Sequence, residues 1–334
     1  MKKILLSMAL VLLGLNAAMA QSSLVATLSH EGNVSLFYGY NAFVDAMAAA
    51  DHGDVITLSS GLFAPTTITK AVTIRGAAMD DDAEKGILKT EINGSVNINI
   101  PDETNGKTLT MEYLYINTYI YNSCHLQSPK FQHLRWGWNA YFTMELNSST
   151  NYMKDAIFIN TNGGFYFGNS SSSSSLTIIN SVIKFITYRY NAKNCNIINS
   201  VVLDYYHSSY QGQYMTFKNC IFPGNSRVLN GTNSCDHCLA IVEDGNADIL
   251  ANMVGTNWTV NSSNEVFTGE DNYVLTPTAA QTYLGTDGTQ VGIWGGPMPW
   301  TTTAENPTIT RCQVAGRSTA DGKLSVEIEV SGIQ

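Results

Sequence analysis

Leu176-Thr-Ile-Ile-Asn180-Ser-Val-Ile183, Cys195-Asn-Ile-Ile-Asn199-Ser-Val-Val202 and Met215-Thr-Phe-Lys-Asn219-Cys-Ile-Phe222 align without gaps, their starts 19 and 20 residues apart. Each reads apolar, polar, apolar, any, Asn, small, apolar, apolar. A period near twenty is too short for paired-helix repeats and suits one β-coil per repeat. Ahead of each Asn the apolar positions alternate with period two, as in a half-buried strand. The Asn breaks the alternation, as a turn residue does when the backbone enters the left-handed region. Stacked coils put Asn180, Asn199 and Asn219 above one another at about the 4.8 Å strand spacing, where their amides can bond along the stack. Ile178, Ile197 and Phe217 then point inward.

Weaker copies lie upstream. Residues 109–116 carry Tyr113 at the Asn position, 129–136 carry His133, and 151–158 carry Asp155. The longest step, 25 residues from Asp155 to Asn180, holds Gly163-Gly164 and the serine run 170–175, which read as a loop bulging from one coil. A leucine-rich repeat has a similar period, but its dense leucine framework is absent.

These units resemble coils of the right-handed parallel β-helix, the pectate-lyase-like fold, over roughly residues 41–300. Asn41 to Ala50 reads as an amphipathic helix with Asn41 as N-cap and Phe43, Val44 and Met47 on one face. Asp54-Val-Ile-Thr-Leu58 after it resembles the first strand of such proteins. Asp287-Gly-Thr-Gln-Val-Gly-Ile-Trp-Gly-Gly-Pro297 resembles a closing segment of exported β-helix proteins of gut Bacteroidetes. The expected fold is all-β: a single-stranded right-handed parallel β-helix with an N-terminal capping helix and a C-terminal β-hairpin. Its domain spans 21–300, with a repeat core of about 54–225. Residues 301–334 form a linker and hairpin, turning at Asp321-Gly322. A lone hairpin is marginal in water and needs a surface to dock on, either the rod or a protein partner.

Residues 1–20 read as a signal peptide: Lys2 and Lys3, an apolar run 4–15 too short to span a bilayer, then Ala18-Met19-Ala20 before Gln21. Cleavage before Gln21 would deliver the chain to the periplasm, the cell surface or the medium, and no later segment reads as a membrane span. The 334 residues carry a net charge of -9, which argues against a nucleic-acid partner. Charged residues are 13% of the chain, about half the usual share. Export permits disulfides without requiring them. Cys235-Asp236-His237-Cys238 is the one close pair of the six cysteines and lacks the second half of a zinc site; a loop disulfide or two idle thiols is the simpler reading.

The resemblance implies two enzymatic chemistries. Lyases of this fold abstract a proton with a cleft Arg or Lys while carboxylates hold Ca²⁺; related hydrolases use paired aspartates. The hydrolase motifs are absent from the coils. Candidate bases are Arg135, Lys154, Lys184, Arg189, Lys193 and Lys218, with Glu145, Asp155 and Asp204 as acids, and they share no coil position. Lys184 is expected to face solvent. Asp80-Asp81-Asp82 is the single aspartate run, read as a solvated loop with Ca²⁺ as the alternative. No catalytic residue, resident metal or cofactor is assigned, with Ca²⁺ reserved for the lyase reading.

Aromatic residues recur downstream of the ladder positions: Tyr119 and Tyr121, Trp138 and Tyr141, Tyr166, Tyr188 and Tyr190, Tyr205 and Tyr206. Such offsets place them on one side of the rod, where flat rings can stack on sugars; the alternative is a buried aromatic ladder. The functional expectation is a non-catalytic exported protein that binds a glycan, or adheres, through this aromatic face. The alternative is a polysaccharide lyase or glycoside hydrolase acting on an acidic glycan.

Overall fold

The computed structural model describes residues 24–84, 86–101, 104, 106–137, 139–144, 152–167, 175–188, 195–203, 215–223, 233–242, 255–269, 272–301, 308–314 and 326–331. The signal segment, Trp138, Glu145, Arg189, Tyr190, Lys193, Asp204, Tyr205, Tyr206 and the Asp321-Gly322 turn lie outside these residues, and of Tyr188 the strand position alone is described. Two compact units are present, Met1–Thr302 and Thr303–Gln334. In the second, Thr308–Val314 pairs antiparallel with Val326–Ser331, with an irregularity between Ile309 and Arg311.

The first unit is a right-handed parallel β-solenoid of about seven turns. Its walls are three parallel sheets. The first runs from Val55–Leu58 through Thr73–Arg75 and the leading halves of Thr110–Ile116 and Lys130–Trp136. It continues through Ala156–Ile159, Leu176–Ile179, Cys195–Ile198 and Met215–Lys218 to Ser234–Asp236. The second begins at Gly61–Phe63 and Thr90–Ile92, takes the trailing halves of the two long strands, and ends at Asn257–Val260. The third joins Val96–Ile98, Ile120–Asn122, Tyr141–Met144 and the far ends of Asn162–Phe167 and Val182–Tyr188.

Register follows the repeat. Ile74, Met111, Phe131, Phe158, Ile178, Ile197, Phe217 and Cys235 stack as one inward column, each at most 1% exposed. Midway along the rod, Phe131, Phe142, Phe158, Phe165 and Trp136 make a cluster of aromatic contacts with centroids 4.7–5.9 Å apart. At the N-terminal end, Val25–His30 pairs antiparallel with both Asn33–Tyr38 and Val55–Leu58, which closes the parallel stack. The helix Ala42–Ala49 buries Ala42, Phe43, Ala46 and Met47 against the same end. Asn41 stands at its N-cap without a side-chain capping bond.

The corner between the first and second sheets is the ladder. Tyr113, His133, Asn160, Asn180, Asn199, Asn219 and His237 occupy it in successive coils, all with φ between 47° and 59°. Asn tolerates this left-handed corner because its short polar side chain bonds locally; most other L-residues are strained there. One member differs from the sequence reading. His133 stands in register with Asn160, so Asp155 belongs to another corner, beside Ser128 in the short pair Leu126–Gln127 and Met153–Lys154. The long interval therefore lies between His133 and Asn160. Gly163-Gly164 is strand, not loop: a Cβ on Gly163 would lie 2.1 Å from the Trp136 indole. His237 extends the ladder, so Cys235-Asp236-His237-Cys238 is a further copy of the repeat rather than a loop.

Candidate functional site

The residues after the last coil fold back along the rod. Val182, Val201, Ile221, Leu239 and Ile241 leave an apolar stripe on the outer face of the second sheet, and Val266, Leu275, Ala279, Val291, Ile293 and Trp300 cover it. This strap is fastened to the asparagine ladder. Asn180 Nδ2 donates to the carbonyls of Ile293 and Gly295 at 2.8 and 2.7 Å. Asn219 Oδ1 accepts from the Thr286 amide, and its carbonyl accepts from Gly292. Within the ladder itself, Asn219 Nδ2 donates to Asn199 Oδ1 at 3.3 Å, while Asn180 Oδ1 and Asn199 Nδ2 are buried without a hydrogen-bond partner among the described residues, so the clamp is made by the Asn180 and Asn219 amides. The strap lies so close that a Cβ on Gly285 would sit 2.6 Å from Asn219 Cγ.

Where the strap meets the second sheet it leaves a cleft of about 530 Å³. Asp80, Arg135, Asn162 and Lys184 line one side; Asn272, Tyr273, Trp294 and Trp300 line the other. Arg135 Nη1 is paired with Asp80 Oδ1, and its Nε is buried without a hydrogen-bond partner among the described residues. Trp294 Nε1 donates to the Asn272 carbonyl at 2.9 Å, which fixes the indole. Lys184 corrects the expectation of a solvent-facing side chain, being 6% exposed. Its strand bulges opposite Gly164, between Gly163 and Phe165, where the register with the preceding coil shifts. Burial, aided by the Arg135 charge and opposed by Asp80, pulls its pKa down to about 8. Tyr115 stands beside the cleft under Lys89, with the ammonium 4.2 Å from its ring centroid.

Of the predicted bases, the structure thus gathers Arg135 and Lys184 and adds Asp80 from the early loop. Asp81 instead accepts from the Lys89 amide at 2.8 Å. Asp155 bonds Ser175 and Gln127, which hold its carboxyl below the usual range. Among the described residues, no three His, Cys, Asp or Glu side chains come together to hold a metal ion. The cleft's tryptophans were not singled out in the sequence, because they lie about 160 residues from Arg135 and outside the repeat. The signal available was a Trp-rich, Gly-rich stretch too polar to be a strand.

Four of the tyrosines named from the sequence lie together. Tyr119 stacks on Tyr121 at 5.7 Å and meets Tyr141 edge-on at 4.7 Å, and Tyr141 contacts Tyr166 at 5.3 Å. These four half-buried rings form a flank beside the third sheet. Partial burial, with the neighbouring Tyr119, Tyr121 and Tyr166, raises the Tyr141 pKa. No helix among the described residues is long and apolar enough to cross a membrane. Compared with protein-family models, curated proteins and solved structures, the chain matches none of them.

Proposed function

We propose that this β-solenoid is an exported saccharide-binding protein whose cleft receives a sugar bearing an acidic group. The observation that carries the reading is the cleft itself: tryptophan and tyrosine faces opposite an Arg and a buried Lys, in a volume of ligand size. Aromatic faces stack on the C–H faces of a sugar ring, while the Asn162 and Asn272 amides suit its hydroxyls. Arg135 and Lys184 together outweigh Asp80, which leaves the cleft the net positive charge that an acidic substituent requires. The tyrosine flank is an accessory stacking surface in this reading. Delivery outside the cytoplasm follows from the signal segment, and N-terminal sequencing should find Gln21 first.

Affinity electrophoresis or calorimetry on acidic and neutral polysaccharides tests the reading. Acidic polymers should bind, and Trp294→Ala should abolish retention. Affinity should fall about tenfold or more as pH rises through about 8, because Lys184 then loses its proton. Lys184→Met should bind weakly and show no such pH dependence. Equal binding of neutral and acidic polymers, or retention that survives Trp294→Ala, removes the cleft from the function. A lyase is the second reading, favoured by a lysine whose pKa of about 8 suits a general base near neutral pH. An ultraviolet assay for unsaturated products decides it: turnover that vanishes in Lys184→Ala would replace binding with catalysis.

A further inference from the structure

One residue past the ladder, a second column runs inside the rod: Thr161, Ser181, Ser200, Cys220 and Cys238. Thr161 Oγ1 and Ser181 Oγ are 3.0 Å apart, and Ser200 Oγ accepts from the Ser181 amide at 3.1 Å. Ser181, Ser200, Cys220 and Cys238 all turn back towards the backbone carbonyl two residues earlier. The column therefore brings the polar tip of each residue against its neighbour in the next coil. In the two coils before Asn257–Val260 the tips are thiols. Leu239 N donates to Cys220 O at 2.8 Å, so Cys220 and Cys238 are direct cross-coil partners. Both are 0% exposed, as is Cys235, whose thiol also contacts that of Cys238.

We propose that Cys220 and Cys238 are a disulfide site that staples two adjacent coils near the C-terminal end of the stack when the chain folds in an oxidising compartment. The structure holds both as thiols. Parallel neighbours have Cα atoms about 4.8 Å apart, inside the roughly 4.4–6.8 Å range that disulfides span. Cys235 is the competing partner for Cys238. The competing Cys235–Cys238 bond would close a ring of only a few residues and constrain the unfolded chain little. Cys220 and Cys238 lie 18 residues apart, so their bond removes more unfolded-state freedom.

The oxidant is a disulfide of the glutathione or thiol-oxidoreductase class. One cysteine thiolate attacks it, forming a mixed disulfide and expelling one thiolate. The second cysteine thiolate then attacks the protein sulfur of the mixed disulfide and expels the other. Two cysteine thiols lose two protons and two electrons, and the oxidant's S–S bond becomes two thiols. Burial raises the Cys220 thiol pKa well above its ordinary value, so the exchange belongs to folding, before these coils close.

Occurrence in the cell rests on the export reading, whereas the test does not. The full chain is refolded in a glutathione redox buffer, free thiols are alkylated, and unreduced peptides are mapped by mass spectrometry. The expected result is a Cys220–Cys238 crosslinked peptide in the wild type and in Cys235→Ser, and a higher melting temperature for the oxidised form than the reduced. Cys220→Ser and Cys238→Ser place the column's own serine at each position and should fold without the crosslink. Alkylated Cys220 and Cys238 in folded wild type, or a Cys235–Cys238 crosslink in their stead, would overturn the proposal. Finding Met1 retained in the cell with the crosslink still forming in vitro would remove the export reading and leave the site intact.

Discussion

At the level of single residues, the corner that turns each coil is the most demanding position in the chain. Its φ near +50° selects Asn, and the sequence uses Asn four times, His twice and Tyr once. The strong copies were legible because Asn sits between two apolar pairs. Asp155 mimics a ladder member in the sequence because it too is a left-handed corner residue followed by apolar positions, with φ 55°. The true member, Asn160, is preceded by Ala156-Ile-Phe-Ile159, whose continuous apolarity hides the alternation. His133 has a measurable consequence. Its ring stacks on Tyr113 at 4.5 Å, and Asn160 Nδ2 lies 3.2 Å from its Nε2. With Asn160 donating, the ring is neutral. Burial depresses its pKa from 6.5 to about 4, despite the opposing influence of Glu112. The unfolded chain then binds more protons than the folded one between these values, so stability falls as pH drops through that window. The full effect is on the order of 3 kcal/mol. His133→Asn keeps the corner conformation and removes the titration. Melting the two proteins from neutral pH down to about 4 should show the wild type losing progressively more stability than the variant. Parallel acid profiles would mean that the imidazole is not buried as described.

Among elements, the strap is the one that links fold to site, and its two halves were visible separately. The Gly-rich run 287–297 stood out as a closing segment and the asparagines as a ladder. That one is the socket for the other was not legible, since nothing local in either states which faces meet. The physical tie is close approach. Gly285 needs no special backbone angle; what it needs is the absence of a side chain over the Asn219 amide. That amide cannot yield cheaply, because Oδ1 accepts from Thr286 and Nδ2 donates to Asn199. Gly285→Ala should therefore destabilise by about 1–3 kcal/mol, the usual cost of overpacking. The same change made on an Asn219→Gly background, which preserves the left-handed corner and vacates the space, should cost clearly less. Chemical denaturation of the four proteins forms a double-mutant cycle. Additive effects would show that the strap does not rest on Asn219. The missed ladder copy at Cys235-Asp236-His237-Cys238 has a similar origin: a CxxC pattern invites a chemical reading, and the His in its middle conceals the repeat position that it fills.

For the whole molecule, the repeat announced a parallel solenoid, and the cross-section was harder to read. The third sheet is built partly from strands as short as Thr67–Ile68, too brief for any periodicity, and the parallel pairing runs past residue 225 to Asn257–Val260. A rod of this kind is close to one-dimensional: each coil rests on its neighbours, and stability is a sum of coil and interface contributions. The strap modifies that rule for one stretch, because its bonds to Asn180 and Asn219 tie those coils into a block. The aromatic cluster around Phe158 lies between this block and the N-terminal coils. Phe158 is fully buried and touches Phe131 at 4.7 Å and both Phe142 and Phe165 at 5.1 Å, so it packs against rings from the coil before it and from its own. Phe158→Ala should cost about 3–5 kcal/mol through the cavity left behind. In a globular core that loss would spread over the entire cooperative unit. Here it falls on one interface, so the coils up to Tyr141–Met144 and the strapped coils from Leu176–Ile179 onward should unfold separately. Hydrogen exchange followed by peptide-level mass spectrometry reads this directly. The wild type should open the coils with a common free energy, and the variant should retain high protection in the strapped block while the N-terminal coils exchange early. Equal loss of protection in every coil would show that the rod is a single cooperative unit.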